Sequence, residues 1–379
     1  MKSPLVGIGE PVVFREWQDG IPIDLTMDIF SAMGFGSWRE WINVTNVLKD
    51  PVTPDWDNIA FYKKAFKRAV DLGIEITAFS GAWFLPEGCI DKAGCAVPPR
   101  DLGPGSLYRQ TLDMLETSFA TATAIFPEVA YWEFGNEWNL DHFLYVDGYY
   151  KNGMTQKLTL DEKADIAVDL MYHAAKGIRR GNPNAKVVMM PSSPCTYDIP
   201  YWLSRKFGIA YFMDKIYSRI ASGNCWSSNT DDYFDVAAWH PYEFDYEPGS
   251  FWIEMNKAAR RVMEKYGDGH KHVMLTELGY TDYGDPEKEK VHAVWFKKMF
   301  DIIKNELPYI RAVHIFRLYE DDKANAERKT VDWGGIDEVY YGLFREPHNG
   351  LTPRTKAYAV QELAGGTGDL TQFGYSSTV

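Results

Sequence analysis

Strand-like and helix-like segments alternate along almost the entire chain, and this alternation limits the fold more than any other feature of the sequence. Eight short segments rich in branched and aromatic residues each precede a segment with helical periodicity. Several of them, such as VVMM and DVAAW, are apolar without alternation, which is typical of parallel strands buried on both faces. The predicted strands are Leu5–Gly9, Ser37–Val44, Ile74–Ser80, Val129–Gly135, Lys186–Met190, Phe234–Trp239, His272–Thr276 and Arg311–Phe316.

The predicted helices have recognisable ends. A capping box of Thr159 and Glu162 begins the longest of them, and Gly181 ends it. Asp285 followed by Pro286 is typical of the start of another helix. The predicted helices cover about Asp24–Met33, Trp56–Leu72, Leu107–Ile125, 160–181, Pro200–Ile220, Phe251–Tyr266 and 286–304, with a last one after Pro353.

Eight strand–helix units are the number found in a closed barrel. An open doubly wound sheet is the alternative, but no strand is followed by a glycine-rich phosphate loop of the G-x-G-x-x-G or P-loop type. The sequence therefore predicts one α/β domain, a (β/α)8 TIM barrel over residues 1–364, and a C-terminal surface tail over residues 365–379. A chain of 379 residues is long enough for such a barrel with extended loops.

The lengths of the connections indicate where function lies. The helix-to-strand connections at Gly34–Gly36 and Asn182–Ala185 are short. The strand-to-helix loops Gly81–Ser106, Glu137–Leu158 and Arg317–Pro353 are long. Active sites of this fold lie on the strand-to-helix loops, so we expect the site at the carboxyl ends of the strands.

The charge and the apolar segments disfavour two classes of partner. The chain has 40 basic and 53 acidic residues, a net charge of −13, which argues against nucleic-acid binding. No stretch of 18 apolar residues is present, so we expect no membrane span. The N-terminus lacks the apolar core of a signal peptide, which predicts a cytoplasmic protein; a signal peptide already removed would leave the same sequence and indicate a secreted one. No pattern indicates an oligomeric state.

Neither cysteine nor histidine patterns predict a metal or another cofactor, and we expect none. The four cysteines form no C-x-x-C, and the spacing of Cys89 and Cys95 in one loop is compatible with a disulfide or with two free thiols. The eight histidines are scattered and no strand carries H-x-H, which disfavours a barrel metallohydrolase.

Two glutamates mark the ends of predicted strands. Glu137 follows the fourth strand in the segment GNEW, and Glu277 follows the seventh in LTEL. In a closed barrel all strands end at one central pocket, so we expect these carboxylates to converge although they are far apart in sequence. Burying a carboxylate without partners is costly, which favours a functional explanation. A converging carboxylate pair is what the hydrolysis of a glycosidic bond requires.

Several strand ends together resemble glycoside hydrolase clan A, and family 39 (and family 5) in particular. The resemblance extends over nearly the whole chain. The matching segments are Arg39 after strand two, Gly135-Asn136-Glu137 after strand four, His240-Pro241-Tyr242 after strand six, Thr276-Glu277 after strand seven, and 341–344 with 353–358 near the C-terminus. The chain departs from the pattern at Trp138, where proline is usual, and at strand eight, which ends in FRLY rather than in tryptophan.

The resemblance implies a retaining mechanism. Glu137 would be the general acid/base and Glu277 the nucleophile. Arg39 would lie near Glu277 and keep its pKa low, while the charge of Glu277 would raise the pKa of Glu137. The alternative for Arg39 is an ion pair with Glu40 or with another inner carboxylate.

The same resemblance implies substrate-binding roles for three more side chains. Asn136 would bind the sugar 2-hydroxyl, Tyr242 would hold the nucleophile, and His240 would line the same subsite. A core imidazole without a role in binding is the alternative for His240.

Aromatic residues make up 15% of the chain, and sugar rings stack on such side chains. We expect Trp83 and Trp138 to contact substrate, with packing in the core as the alternative. Phe316 or Tyr319 would replace the missing tryptophan after strand eight.

The sequence thus predicts a retaining β-glycosidase acting on a carbohydrate substrate. A non-catalytic carbohydrate-binding barrel is the alternative, although such a protein needs neither glutamate. Arg317 would contact a charged sugar such as a uronate, or else form a surface pair with Glu320. The resemblance to family 39 favours β-xylosidase-type activity, whereas the aromatic content suits an endo-glycanase equally well.

Overall fold

The computed structural model describes residues 5–194, 200–242, 250–320, 338–345 and 351–374. Within them, eight parallel strands form one sheet: β1 (Leu5–Gly9), β2 (Ser37–Trp41), β3 (Glu75–Ser80), β4 (Tyr131–Phe134), β5 (Lys186–Val188), β6 (Ala237–Trp239), β7 (Val273–Leu278) and β8 (Ile310–Phe316). Each strand pairs with its neighbours in sequence, except that β5 and β6 share no continuous ladder, and β1 also pairs with β8. Parallel bridges of Val188 with Val236 and of Ser192 with Trp239 connect β5 to β6, so the predicted (β/α)8 TIM barrel is confirmed.

At least one helix follows each strand of the barrel. The helices are α1 (Val12–Asp19), α2 (Ile23–Met33), α3 (Val44–Val47), α4 (Trp56–Asp71), α5 (Leu107–Ile125), α6 (Leu160–Gly181), α7 (Tyr201–Ser222), α8 (Ser250–Lys265), α9 (Pro286–Glu306) and α10 (Thr355–Ala364). The predicted capping box at Thr159 and Glu162 is present at the start of α6. The predicted second strand is too long, because Val44 already begins α3.

Helix α1 was not predicted, because its capping group is far away in sequence. It follows Pro11, and no neighbouring side chain caps its N-terminus. The Glu40 carboxylate, on β2, instead accepts hydrogen bonds from the backbone N–H groups of Val12 (2.8 Å) and Val13 (3.3 Å). A helix capped from a distant strand has no capping signal in its own sequence.

The core lies mainly between the sheet and the surrounding helices. A smaller apolar cluster fills part of the barrel interior and consists of Val188, Val236, Ala238, Met274 and Ala312. Toward the carboxyl ends of the strands the interior becomes polar, and Arg39, Glu133 and Thr276 are fully buried there. Buried charges need partners, so this end of the barrel is where a site is expected.

Short strand pairs connect the long strand-to-helix loops above the barrel. Trp83–Phe84 pairs with Ala93–Gly94 within the loop after β3. Ala96–Val97 pairs with Tyr145–Val146, which joins that loop to the loop after β4. These two loops therefore form one continuous wall beside the end of β4.

Three smaller expectations concern the cysteines, the membrane and the tail. Cys89 and Cys95 are free thiols in the structure. No helix among the described residues is both long enough and apolar enough to cross a membrane. Part of the tail packs on α2, since Gly368 N–H donates to the Ala32 carbonyl (3.3 Å) and Leu370 is buried.

Helices α5 and α6 approach closely at Gly177, where a Cβ would overlap the backbone carbonyl of Glu116. We expect Gly177→Ala to lower the free energy of unfolding by about 1–3 kcal/mol, the usual cost of overpacking. Helix propensity alone would instead raise it by about 1 kcal/mol. Urea denaturation measures the difference, and a gain in stability would show that the two helices separate freely.

Candidate active site

Glu137 lies just beyond β4, in a turn that the neighbouring residues make possible. Gly135 has a φ of 85°, and a Cβ there would overlap the Trp138 ring. Glu137 itself has a φ of 43°, which is uncommon for a residue with a side chain. Its backbone N–H donates to the Pro191 carbonyl (2.8 Å), which fixes the turn against the end of β5. Such backbone strain is typical of positions where a side chain must point in one direction.

Glu277 is the second-last residue of β7. The register of β7 against β8 shifts between Leu275 and Leu278, and shifts of this kind redirect side chains. The Glu277 side chain is 12% exposed, so its carboxylate is largely desolvated but still reaches the pocket.

The two carboxylates form a compact group with His240. One oxygen of each carboxylate and one nitrogen of the imidazole lie within 4.8 Å of one another. His240 Nδ1 is 2.8 Å from Glu137 Oε1 and 3.7 Å from Glu277 Oε2. On the other side of the ring, His240 Nε2 is 3.0 Å from Thr276 Oγ1. The imidazole is thus held between both carboxylates and a hydroxyl group.

Arg39 connects the barrel interior to this group. Its Nη1 donates to Glu277 Oε1 at 2.7 Å. Its Nε donates to Glu133 Oε1 at 3.0 Å, and its Nη2 also contacts that oxygen. The Arg39 side chain has no exposed surface, so it needs both carboxylates to balance its buried charge. Glu40, the alternative partner considered from the sequence, caps α1 instead.

Tyr242 and Asn136 complete the group. The Tyr242 hydroxyl donates to Glu277 Oε2 (3.0 Å), so each oxygen of Glu277 has its own donor. Arg39 Nη2 lies 3.4 Å from Asn136 Oδ1, which orients the amide beside Glu137. Six of the site residues expected from the sequence are therefore in contact or in adjacent positions in the structure: Arg39, Asn136, Glu137, His240, Tyr242 and Glu277.

The environment shifts the pKa values of the two glutamates in opposite directions. Burial raises the pKa of Glu137, and the negative charge of Glu277 raises it further, against the opposing effect of His240. Burial also acts to raise the pKa of Glu277, but the charges of His240 and Arg39 and the hydrogen bonds from Tyr242 and Arg39 outweigh it and lower the value. Glu137 therefore holds its proton more tightly than Glu277 does, so one pocket contains two carboxyl groups with different acidities.

Three of the residues expected to contact substrate have no exposed surface. Trp83 and Trp138 pack edge to face at 6.1 Å, both against Phe134, and Trp83 Nε1 donates to the Ala96 carbonyl (2.9 Å). Tyr319 is buried with its hydroxyl 2.9 Å from Thr26 Oγ1. A stacking role needs an accessible ring face, so the positions of these three rings support packing and correct the expectation from the sequence.

Three other aromatic rings, Phe316, Tyr341 and Tyr242, pack in a row that ends at Glu277. Phe316, which was expected to contact substrate, lies at the end of β8 and packs against Tyr341 with ring centroids 5.7 Å apart. Tyr341 also packs against Tyr242 at 6.1 Å. Arg317 is buried, with its guanidinium carbon 4.7 Å from the centre of the Phe316 ring, so the expected surface pair with Glu320 is wrong.

Sequence reasoning missed Glu133 and Tyr341. Glu133 is the charged residue within the otherwise apolar and aromatic strand YWEF, and that exception was the available signal. Tyr341 belongs to a segment noted only for its resemblance to family 39, and its position beside Tyr242 depends on the folding of the long last loop.

Two groups of side chains within the described residues have donor atoms close enough to bind a cation. They are Glu137 with His240 and Glu277, and Asp231 with Asp268 and His270. Each group already contacts a positive side chain: Arg39 contacts Glu277, and Lys271 Nζ lies 2.9 Å from Asp231 and 3.1 Å from Asp268. These ion pairs account for the acidic groups without a metal.

No protein-family model and no curated protein matches the sequence. Solved structures do share its fold. A family 39 glycoside hydrolase from the gut symbiont Bacteroides cellulosilyticus WH2 superimposes with a TM-score of 0.60 and 15% identity, over 96% of this chain and 64% of that chain. The present chain thus spans less than two thirds of that protein.

Two further structures match over most of both chains. The family 1 β-glucosidase of Thermotoga maritima has a TM-score of 0.57 and 13% identity, over 93% of this chain and 87% of that chain. The virulence factor SghA of Agrobacterium tumefaciens, in complex with its substrate analog salicin, has a TM-score of 0.62 and 12% identity, over 96% of each chain. At these identities the likeness shows the shared (β/α)8 fold.

The electrostatic coupling of the two glutamates is open to a direct test. We expect Glu277→Gln to lower the pKa of Glu137, because the substitution removes the negative charge that disfavours ionisation of its neighbour. The measurement is a pH titration by NMR of protein labelled at the glutamate carboxyl carbons, with the Glu137 signal assigned from Glu137→Gln. The exposed Glu287→Gln serves as control. An unchanged or higher pKa of Glu137 would contradict the coupling.

Proposed function

We propose that this protein is a retaining β-glycoside hydrolase of clan A. The proximity of the two glutamates is the observation that carries the proposal, since one oxygen of Glu137 and one oxygen of Glu277 lie within 4.8 Å of each other. Retaining enzymes have carboxyl groups about 5–5.5 Å apart, whereas inverting enzymes keep about 6.5–9.5 Å to admit a water molecule. The spacing therefore favours direct attack by one carboxylate over activation of water between the two.

In this proposal Glu137 first acts as the acid. Its raised pKa keeps the proton that the leaving glycosidic oxygen needs. Glu277, ionised beside Arg39 and Tyr242, attacks the anomeric carbon and forms a covalent glycosyl-enzyme. Once Glu277 is esterified its negative charge is gone, so the pKa of Glu137 falls and Glu137 becomes the base that activates water.

Asn136 is proposed to bind the sugar beside the reacting centre, and His240 to line that subsite behind the two carboxylates. The Arg39 contact on Asn136 Oδ1 leaves the amide nitrogen as a donor for a hydroxyl of the substrate. His240 has no exposed surface and contacts both carboxylates, so it is proposed to orient them from behind rather than to contact the sugar itself. No cofactor is needed, because two carboxylates suffice for the reaction.

The fold relatives support a carbohydrate substrate. Those named above are a family 39 glycoside hydrolase, a family 1 β-glucosidase and a virulence factor in complex with its substrate analog salicin. A binding protein without activity is less well supported, because two neighbouring carboxyls with opposite pKa shifts serve catalysis rather than binding.

The mechanism predicts distinct effects for the two glutamates. We expect Glu277→Gln to lose essentially all turnover of aryl β-glycosides, because no nucleophile remains. Glu137→Gln should retain more activity on a 2,4-dinitrophenyl glycoside than on a 4-nitrophenyl glycoside, since the better leaving group needs less protonation. NMR of the first-formed anomer should show retention. Inversion, or activity in both variants, would contradict these assignments.

Arg39 should set the acidic limb of the pH profile. Because its charge lowers the pKa of Glu277, Arg39→Met is expected to raise that pKa and to move the acidic limb of kcat/KM to higher pH. The alkaline limb, which reports the loss of the Glu137 proton, should move less, because burial, His240 and Glu277 each affect the pKa of Glu137 more than Arg39 does. A pH profile of kcat/KM with an aryl glycoside checks this, and an unmoved acidic limb would contradict it.

A further inference from the structure

A buried charge cluster lies beside the proposed active site and has no part in the reaction described so far. It contains two cationic residues, Arg354 and Lys356, at the start of α10, which we call the cation pair. Both side chains are almost completely buried. The surrounding carboxylates are Asp282 after β7, Glu289 on α9 and Glu320 after β8.

The contacts of the cation pair join loops that carry the site. Arg354 Nη2 is 2.7 Å from Asp282 Oδ1, and Lys356 Nζ is 3.0 Å from Asp282 Oδ2. Arg354 also contacts Glu320 and binds Glu289 at 3.1 Å. Asp282 lies on the loop that follows β7, the strand that carries Glu277, and Glu320 lies on the loop that follows β8, which ends at Phe316. The cluster therefore fixes the loops after β7 and β8 to each other.

Both cations also bind the same backbone carbonyl. Lys356 Nζ donates to Tyr340 O at 2.7 Å, and Arg354 Nη1 donates to it at 3.3 Å. The segment that follows is held on its other side by hydrogen bonds from Leu343 N–H to Arg317 O (3.0 Å) and from Phe344 N–H to Leu318 O (2.8 Å). The position of the intervening residue, Tyr341, is thus fixed from both ends.

The fold reserves space for the Tyr341 ring. A Cβ on Gly279 would overlap the Phe316 backbone carbonyl and would also lie 2.8 Å from Tyr341 Cδ1, so glycine there admits both the end of β8 and the ring. Gly342 is equally confined, because a Cβ on it would overlap the backbone of Glu320. In this space Tyr341 packs against Tyr242, whose hydroxyl donates to the Glu277 carboxylate.

We propose that the cation pair is a positioning element for the nucleophile. It fixes the Tyr340 carbonyl, and through it the Tyr341 ring that supports Tyr242. Tyr242 then holds one oxygen of Glu277 in the direction of attack. The inference rests on the proposed function, in which Glu277 is the nucleophile.

The cost of the cluster supports a role beyond stability. Burial lowers the pKa of Lys356 to about 8, although the Asp282 carboxylate acts to raise it. A buried ion pair commonly contributes no more stability than apolar side chains of similar volume. Fixing one geometry is the best attested reason for keeping such a pair.

The test compares Lys356→Met, Tyr341→Ala and the double variant. The probes are the 2,4-dinitrophenyl 2-deoxy-2-fluoro-β-glucoside and β-xyloside, which trap the glycosyl-enzyme formed by the nucleophile. We expect the rate constant of covalent labelling to fall about ten-fold in each single variant, because a displaced nucleophile attacks less often. Mass spectrometry should still find one label per chain, and the double variant should lose no more than either single one.

The matched control is Lys297→Met, which removes an exposed ion pair with Glu362 between the same two helices, α9 and α10. Its labelling rate should equal that of the wild type. The proposal would be overturned by an unchanged labelling rate constant in Lys356→Met, or by a loss of labelling that reflects only a smaller fraction of labelled chains. It would also be overturned if the effects of the two single variants on the rate constant multiplied in the double variant. If Lys356→Met does not fold, Tyr341→Ala alone decides by the same rate constant.

Failure of the proposed function gives a different result. If neither probe labels the wild type at Glu277, Glu277 does not act as the nucleophile on β-glucosides or β-xylosides. The positioning claim is then decided by crystal structures of the wild type and Lys356→Met. An unchanged distance between the Tyr242 hydroxyl and Glu277 would overturn it, and a lengthened one would support it.

Discussion

The ion pairs of Arg39 are the interaction on which the rest of the site depends. A guanidinium without any exposed surface must have its charge balanced, and Glu133 within the barrel and Glu277 at its rim share that task. The planar fork of arginine suits this arrangement, because its separate N–H groups reach different carboxylates at fixed angles. A lysine would supply a single point of charge and could not fix the orientations of both carboxylates. The position of Glu277 is therefore determined from inside the barrel, and not by its loop alone.

One pocket gives two glutamates opposite properties. Both are desolvated, which by itself favours the protonated form of each. Glu277 receives Arg39 and Tyr242 as donors, whereas the strongest polar contact of Glu137 is the single hydrogen bond with His240. The difference in the number and charge of donors makes Glu277 the more readily ionised of the two carboxyl groups. His240 contacts both groups, so the two titrations are linked.

Above the barrel, ion pairs and close glycine contacts take over the role that β-sheet hydrogen bonds have within it. Among the described residues, no strand ladder joins the loop after β7 to the loop after β8, and the buried cluster around Arg354 connects them instead. Gly279 and Gly342 allow the last loop to approach so closely that a tyrosine from it reaches Tyr242. In this fold the barrel usually provides stability, whereas the separately fixed loops at the carboxyl ends of the strands carry function.

The sequence by itself determined the order of strands and helices, the closed barrel and the strand ends that carry Glu137, Glu277 and Arg39. Periodicity and capping residues are local, and in a parallel barrel the carboxyl end of a strand already defines the face on which its next residues lie. Only the tertiary structure decided that Glu133 is the inner partner of Arg39, that Glu40 caps α1, and that the rings of Trp83, Trp138 and Tyr319 are buried. These outcomes depend on contacts between segments distant in sequence. Packing decides whether an aromatic face contacts solvent or another ring, and the sequence of a single strand or loop does not indicate which.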